Sequence, residues 1–502
     1  MKTASRLLLV SVAVVVVLSV LLFRQSRPEP PPNGRQTSTL LVYCAAGLKA
    51  PVSQVTADYE QRFGVRVEIQ YGGSGTLLSN LRVAQRGDLF IAADTDYLAI
   101  ARSNHLVAEI LPIATMEPVI AVARSNPKSI RTLADFHRND VAVALANPDA
   151  AAIGRLTRSA LTAAGVWPAL SSHAKVFKPT VNDVANDIKL GTVDAGIVWD
   201  ATVRQYPELV AIATPELRGF RSQVTAGVLR YSTQPRAALH FARFLAARDQ
   251  GLPVFSQAGY QVVQGDLWAE APEVVLFSGG VNRVAIEDTL RQFEEREGVR
   301  ITRVYNGCGI LTSQIRAGQR PDAYFACDVS FMTNVQAYFR PSIELAQTRM
   351  VILTRKGNPR SLRTLANLAA PNLKVGVANE EQSALGALTA RLLRQLGLYD
   401  AIHPNIAVQT PTADLLVNQL RAGALDAAIV YQANTSQVRD SLEVIPIEAP
   451  EALAIQPYAV GSSSSFPFLM ERLRDTLASA DSRRRFEEVG FVWRAPTALS
   501  SP

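Results

Sequence analysis

Two short stretches hold the residue types most able to do chemistry, "YGGSGTL" from Tyr71 to Leu77 and "YNGCGIL" from Tyr305 to Leu311. Each places a polar or nucleophilic side chain, Ser74 or Cys308, between glycines that let a backbone approach a ligand closely. After the first, Leu77, Leu78, Leu81 and Ala84 follow at helical spacing and Gly87 stops the run, so the turn opens a helix. The unpaired N–H groups of such a helix start hold an anion without a charged side chain. Neither stretch ends in the Gly-Lys-Ser/Thr of a P-loop, and no dinucleotide G-x-G-x-x-G occurs, which argues against nucleotide binding. A thiol at a helix start can also be a nucleophile of lowered pKa, but Cys308 has no matching histidine in the other stretch.

Other reactive types are sparse. None of the five histidines, His105, His137, His173, His240 and His403, has metal-ligand spacing to another His or Cys. No Gly-x-Ser-x-Gly elbow or paired-carboxylate motif occurs. The expectation is a binding protein without catalytic residues, metal or cofactor. Cys44, Cys308 and Cys327 are too few for a disulfide scaffold, although Cys308 and Cys327 could pair. A net charge of +7 is scattered without an aromatic-interleaved basic patch, so no nucleic-acid partner is expected.

The two stretches belong to a larger repetition. "GDLFIAAD" (Gly87 to Asp94) returns 234 positions later as "PDAYFACD" (Pro321 to Asp328). At an offset of 232, "SNPKSIRTLADF" from Ser125 matches "GNPRSLRTLANL" from Gly357, and "DAGIVWDA" from Asp194 matches "DAAIVYQA" from Asp426. Ordered matches over two segments of roughly 230 residues indicate whole duplicated domains, not a solenoid. We expect domains at 40–272 and 273–497, with 36–272 and 273–497 each able to fold alone. Within each copy, apolar strands alternate with helices, the pattern of an α/β domain with a largely parallel sheet. Asp94 and Asp328, closing the repeated strand, are expected to cap the next helix or tie the crossover between lobes.

Ahead of the repeats, Lys2 and Arg6 precede an uncharged run from Leu7 to Phe23. This is an export signal or a membrane anchor, and the missing A-x-A cleavage pattern favours an uncleaved transmembrane anchor over 1–23. The Pro-rich segment 24–39 reads as a stiff linker, placing the body on the extracytoplasmic side.

Taken in order, "VYCAAGL", "YGGSGTL", "GDLFIAAD", the "NP" followed by "LADF", and "DAGIVWDA" resemble the periplasmic molybdate-binding proteins. More broadly they resemble the type II periplasmic binding proteins that deliver solutes to ABC transporters. The resemblance covers nearly all of both copies. It implies, for each, two α/β lobes closing on a ligand about a hinge. The family's first-turn serine falls on Gly47 and Val281, with Ser278 three residues before the latter. The second-turn serines fall on Ser74 and Gly75, and on Cys308 and Gly309. Two backbone amide donors fall on Ile153 and Val181, and on Leu385 and Ala413, while the family's tyrosine falls on Trp199 and Tyr431. The turn amides are expected to remain available to a ligand.

The resemblance thus implies an extracytoplasmic solute-binding protein for an oxyanion such as molybdate, serving an ABC permease. The alternatives are a membrane-anchored sensor or scaffold of the same fold, a different small ligand such as ferric ion, phosphate or sulfate, and an enzyme built on the fold.

Overall fold

A computed structural model describes residues 39–495. The anchor expected over Met1–Phe23 and most of the Pro-rich segment lie outside those residues; no helix among the described residues is long and apolar enough to cross a membrane.

The first copy contributes β1 (Thr39–Ala45), β2 (Arg66–Gly72), β3 (Leu89–Ala92), β4 (Val107–Met116), β5 (Pro118–Ala123), β6 (Val143–Ala146), β7 (Val176–Lys178), β8 (Ala195–Trp199), β9 (Leu209–Ile212), β10 (Ser222–Leu229) and β11 (Gln261–Val262). They form two sheets, one per lobe, in the orders β11-β4-β10-β3-β1-β2 and β7-β6-β8-β5-β9. Pairing is parallel for β1 with β2 and β3, as the alternation of strand and helix requires, and antiparallel where the chain crosses between lobes. The lobes are joined by β4 into β5 and by β9 into β10. At the first crossing the Glu117 N–H donates to the Asp200 carboxylate (3.0 Å) and the Asp200 N–H to the Glu117 carbonyl (2.9 Å). Pro118, the next residue, opens β5 and has no N–H to give.

The second copy repeats the plan with β12 (Glu273–Gly279), β13 (Arg300–Asn306), β14 (Ala323–Phe325), β15 (Ile343–Arg355), β16 (Val375–Ala378), β17 (Ile406–Thr410), β18 (Ala427–Tyr431), β19 (Leu442–Pro446), β20 (Leu453–Val460) and β21 (Val492–Trp493). One difference matters. Met350 stands where the first copy has Pro118, and its N–H donates to the Ala452 carbonyl (2.9 Å). The crossing is therefore one uninterrupted 13-residue strand, β15, which merges both lobes' sheets into one of ten strands.

Asp94 and Asp328 do cap the helices that follow, accepting from the Asp96 N–H (2.6 Å) and the Ser330 N–H (3.0 Å). Asp328 also accepts from the Ile455 N–H (3.3 Å) of β20, which ties the crossover. Burial pushes the Asp94 carboxyl up to about 6. A folded-state pKa above the unfolded one favours the neutral acid, so this group's stabilising contribution is full below the usual carboxylate pKa and lost as pH rises through about 6. Asp94→Asn keeps an oxygen for the cap and carries no charge. It is expected to be more stable than the parent above pH 6, on the order of 2 kcal/mol, and to match it near pH 4. Thermal melts of both proteins from pH 4 to pH 8 check the crossing.

Each copy has its own apolar core, one built on residues such as Leu40, Phe90 and Phe241, the other on Val274, Phe325 and Phe486. Between them lies a seam of buried charge. Glu297, ending the helix Arg283–Glu297, is 1% exposed. It accepts two bonds from the Arg472 guanidinium (2.7 and 3.0 Å), and Arg243 of the first copy reaches it at 3.4 Å. Arg296 pairs with Glu109 across the same seam, and Asp266 accepts from the N–H groups of Phe468 (2.8 Å) and Leu469 (3.0 Å) at the start of the helix Pro467–Leu477.

Candidate functional site

In the first copy three helix starts face one crevice between the lobes. The helix Ser74–Ala84 follows β2, Ala152–Ala163 follows β6, and Val181–Lys189 follows β7. Each begins where a parallel strand ends, the edge at which open α/β sheets hold ligands. The crevice is narrow and open to solvent on one side, and no charged side chain lines it. Gly47, Ser74, Ile153, Val181 and Trp199 all line it, so five of the six positions expected for this copy come together.

The N–H groups of Ser74, Ile153 and Val181 donate to no acceptor among the described residues, as the first turn of a helix leaves them. The Ser74 hydroxyl oxygen accepts from the Ala93 N–H (3.2 Å), which leaves its hydrogen to donate. Three helix dipoles aim their positive ends at this space, and an anion is the species such a field holds. The first turn is pinned from behind, because Tyr260 donates its hydroxyl to the Gly47 carbonyl at 2.5 Å.

Gly75 departs from expectation. Its N–H, with that of Thr76, donates across the cleft to the Ala150 carbonyl (2.9 and 3.4 Å). In this closed arrangement that amide is used by the opposite lobe and is not available to a ligand. A Cβ at Gly75 would strike the Asp149 carbonyl, and one at Gly73 the carbonyls of Ala150 and Pro179. These glycines admit the other lobe's backbone.

The second copy keeps the lobe contact and changes the donors. Gly309 donates to the Gln382 carbonyl (3.0 Å), and a Cβ there would strike Glu381. The amides of Cys308, Leu385 and Ala413 again lack a protein acceptor among the described residues. Val281 stands where the first copy has Gly47, and Ala413 where it has Val181. A Cβ on Gly47 would lie 3.0 Å from the Val181 side chain, so the valine has changed sides of the cleft.

Ser278 is not brought into the cleft. It is fully buried at the end of β12, where its hydroxyl donates to the Gly279 carbonyl (3.3 Å) and accepts from Asn282 (3.5 Å). Its counterpart at the end of β1 is Cys44, also fully buried, whose thiol is pushed far up by burial. The Tyr431 hydroxyl is buried with no hydrogen-bond partner among the described residues.

Sequence reasoning missed Ala93, which lines the crevice beside Ser74, and named Cys327, its counterpart beside Cys308, only as a pairing partner. The repeat alignment carried the signal: where "AAD" becomes "ACD", the serine of the neighbouring turn also becomes cysteine.

A family model described as bacterial extracellular solute-binding protein matches residues 40–261 and again 274–492. The chain belongs to that family. Its membership is double, a tandem duplication of a domain like the molybdate-binding proteins. The molybdate-binding protein ModA of Mycobacterium tuberculosis is 28% identical over 238 residues, 47% of this chain and 88% of the relative. A Haemophilus influenzae protein named only as a binding protein is 29% identical over 230 residues, 45% of this chain and 91% of the relative. The solved periplasmic molybdate-binding protein of Azotobacter vinelandii aligns at 16% identity and a TM-score of 0.40, covering 45% of this chain and all of that one. This family has an extracytoplasmic solute-binding role.

Proposed function

We propose that the first copy binds a small oxyanion, molybdate or one of similar shape, and hands it to an ABC importer. The observation that carries this reading is the set of unpartnered N–H groups at three helix starts, joined by the Ser74 hydroxyl, around a crevice without a carboxylate. Donors without a negative partner suit an anion and not a ferric ion, which needs anionic oxygen ligands. The ModA relatives carry molybdate in their name, which supports the choice of ligand class.

Ser74→Ala removes one donor to a charged ligand, worth about 1.5–3 kcal/mol, so affinity should fall roughly tenfold to a hundredfold with the fold intact. Titration calorimetry of parent and variant with molybdate, tungstate, sulfate and phosphate checks it. If no oxyanion binds the parent, the first copy is a sensor or scaffold for another ligand. Unchanged affinity in the variant would instead remove Ser74 from the site.

A further inference from the structure

We propose that Cys308 and Cys327 close to a disulfide inside the second cleft, a covalent pair standing where the first copy keeps a serine and an alanine. The two sulfurs lie 2.6 Å apart, 19 positions apart in sequence, and the Cys327 N–H donates to the Cys308 sulfur at 3.0 Å. In the first copy the same bond joins the Ala93 N–H to the Ser74 hydroxyl, so the backbone geometry is inherited and only the side chains are new. A third change goes with these two. Gly279 stands where the first copy has Ala45, and a Cβ there would strike the Cys327 sulfur and lie 3.1 Å from that of Cys308. Three differences from the first copy, cysteine for serine, cysteine for alanine and glycine for alanine, thus fit together: the first two supply the sulfurs and the third clears the space they need.

The two thiols are unequal. Burial pushes Cys308 up, but the neighbouring Cys327, through its sulfur and its N–H, outweighs it and holds Cys308 below the ordinary thiol value. Cys327, beside the Cys308 sulfur and buried, is pushed well above it. Cys308 opens the helix Cys308–Arg316 and accepts the Cys327 N–H, a setting that favours its thiolate, so it is the attacking sulfur. Its thiolate attacks a disulfide donor, displacing one thiol and forming a mixed disulfide. The Cys327 sulfur then attacks the Cys308 sulfur and displaces the second thiol. Two thiol protons leave and two electrons pass to the donor. Both sulfurs are buried when the lobes are shut, so the exchange takes place in the open cleft or during folding. Once closed, the pair offers the cleft no S–H, and the second copy loses the donor that corresponds to the Ser74 hydroxyl.

The test needs no ligand and so stands apart from the oxyanion reading. The full chain is reduced, equilibrated with a mixture of oxidised and reduced glutathione at the poise of an oxidising compartment, denatured in alkylating agent and weighed. One alkylated cysteine, Cys44, is expected, and three after full reduction. Reduction should also lower the Tm of the parent by roughly 6–12 °C, the effect of opening a loop of this length. It should leave unchanged a double variant, Cys308→Ser with Cys327→Ala, which restores the residues of the first copy. Three alkylated cysteines at equilibrium with glutathione, or a parent Tm indifferent to reductant, overturns the proposal.

Discussion

Glu297→Ala is expected to destabilise the protein by about 3–5 kcal/mol, because it strands two arginines that the fold has already taken out of water. Arg472 is 7% exposed and Arg243 8%, so neither can turn fully to solvent without parting the copies. Burial pushes the Glu297 carboxyl up, but Arg472 and Arg243 outweigh it and hold it below its ordinary value of 4.5. A depressed folded-state pKa places this contribution fully above pH 4.5 and loses it as pH falls through the folded value. Urea melts of parent and variant at pH 7 should differ by that amount, and the gap should narrow in acid. A difference under about 1 kcal/mol at pH 7 would mean that water reaches the seam. The seam also bears on whether the copies fold apart. A fragment 273–497 keeps the Glu297–Arg472 pair, while a fragment 36–272 returns Arg243 to water, so the charges of the seam do not by themselves forbid the copies from folding apart.

Gly75→Ala should weaken solute binding by the first copy at least a hundredfold while leaving the open protein as stable as the parent or more so. The methyl group would strike the Asp149 carbonyl only when the lobes meet. In the open form, alanine inside a helix is better than glycine by up to about 1 kcal/mol. The variant thus trades the closed state for the open one, and a ligand that needs both lobes binds in proportion to the closed population. Calorimetry for affinity and small-angle scattering for lobe separation would check it together. Parent-like affinity would show that the lobes clasp the ligand without bringing Gly75 up to Asp149. Gly309→Ala is the matching change in the second copy, where Glu381 is struck.

Much of this was legible in the sequence. The duplication, the strand and helix alternation, the two aspartate caps and the crevice positions of the first copy followed from local pattern and ordered motifs. The serine at 278 was misplaced for a physical reason. Side chains alternate along a strand, and this one belongs with Cys44, a core residue in the aligned repeat, so the alignment held the answer. The glycines at 75 and 309 were read as making way for a ligand, since glycine marks close approach without naming what approaches. Glu297 could not have been found at all. "FEEREG" reads as the solvated end of a helix, and only the packing of one copy on the other takes its final glutamate out of water.

The proline that opens β5 sets the two copies apart in how they move. To bend the second copy at the corresponding point, the Met350 N–H must give up the Ala452 carbonyl, and the strand must break a hydrogen-bonded ladder that runs through both lobes. At Pro118 the first copy has no such bond to break, because proline has no hydrogen to donate, and its crossing is tied only by the neighbouring Glu117 and Asp200. The duplicated halves, similar in plan, are therefore expected to open unequally, the first as a loose jaw and the second as a stiff one, so that a solute held equally tightly by both would exchange with them on different clocks.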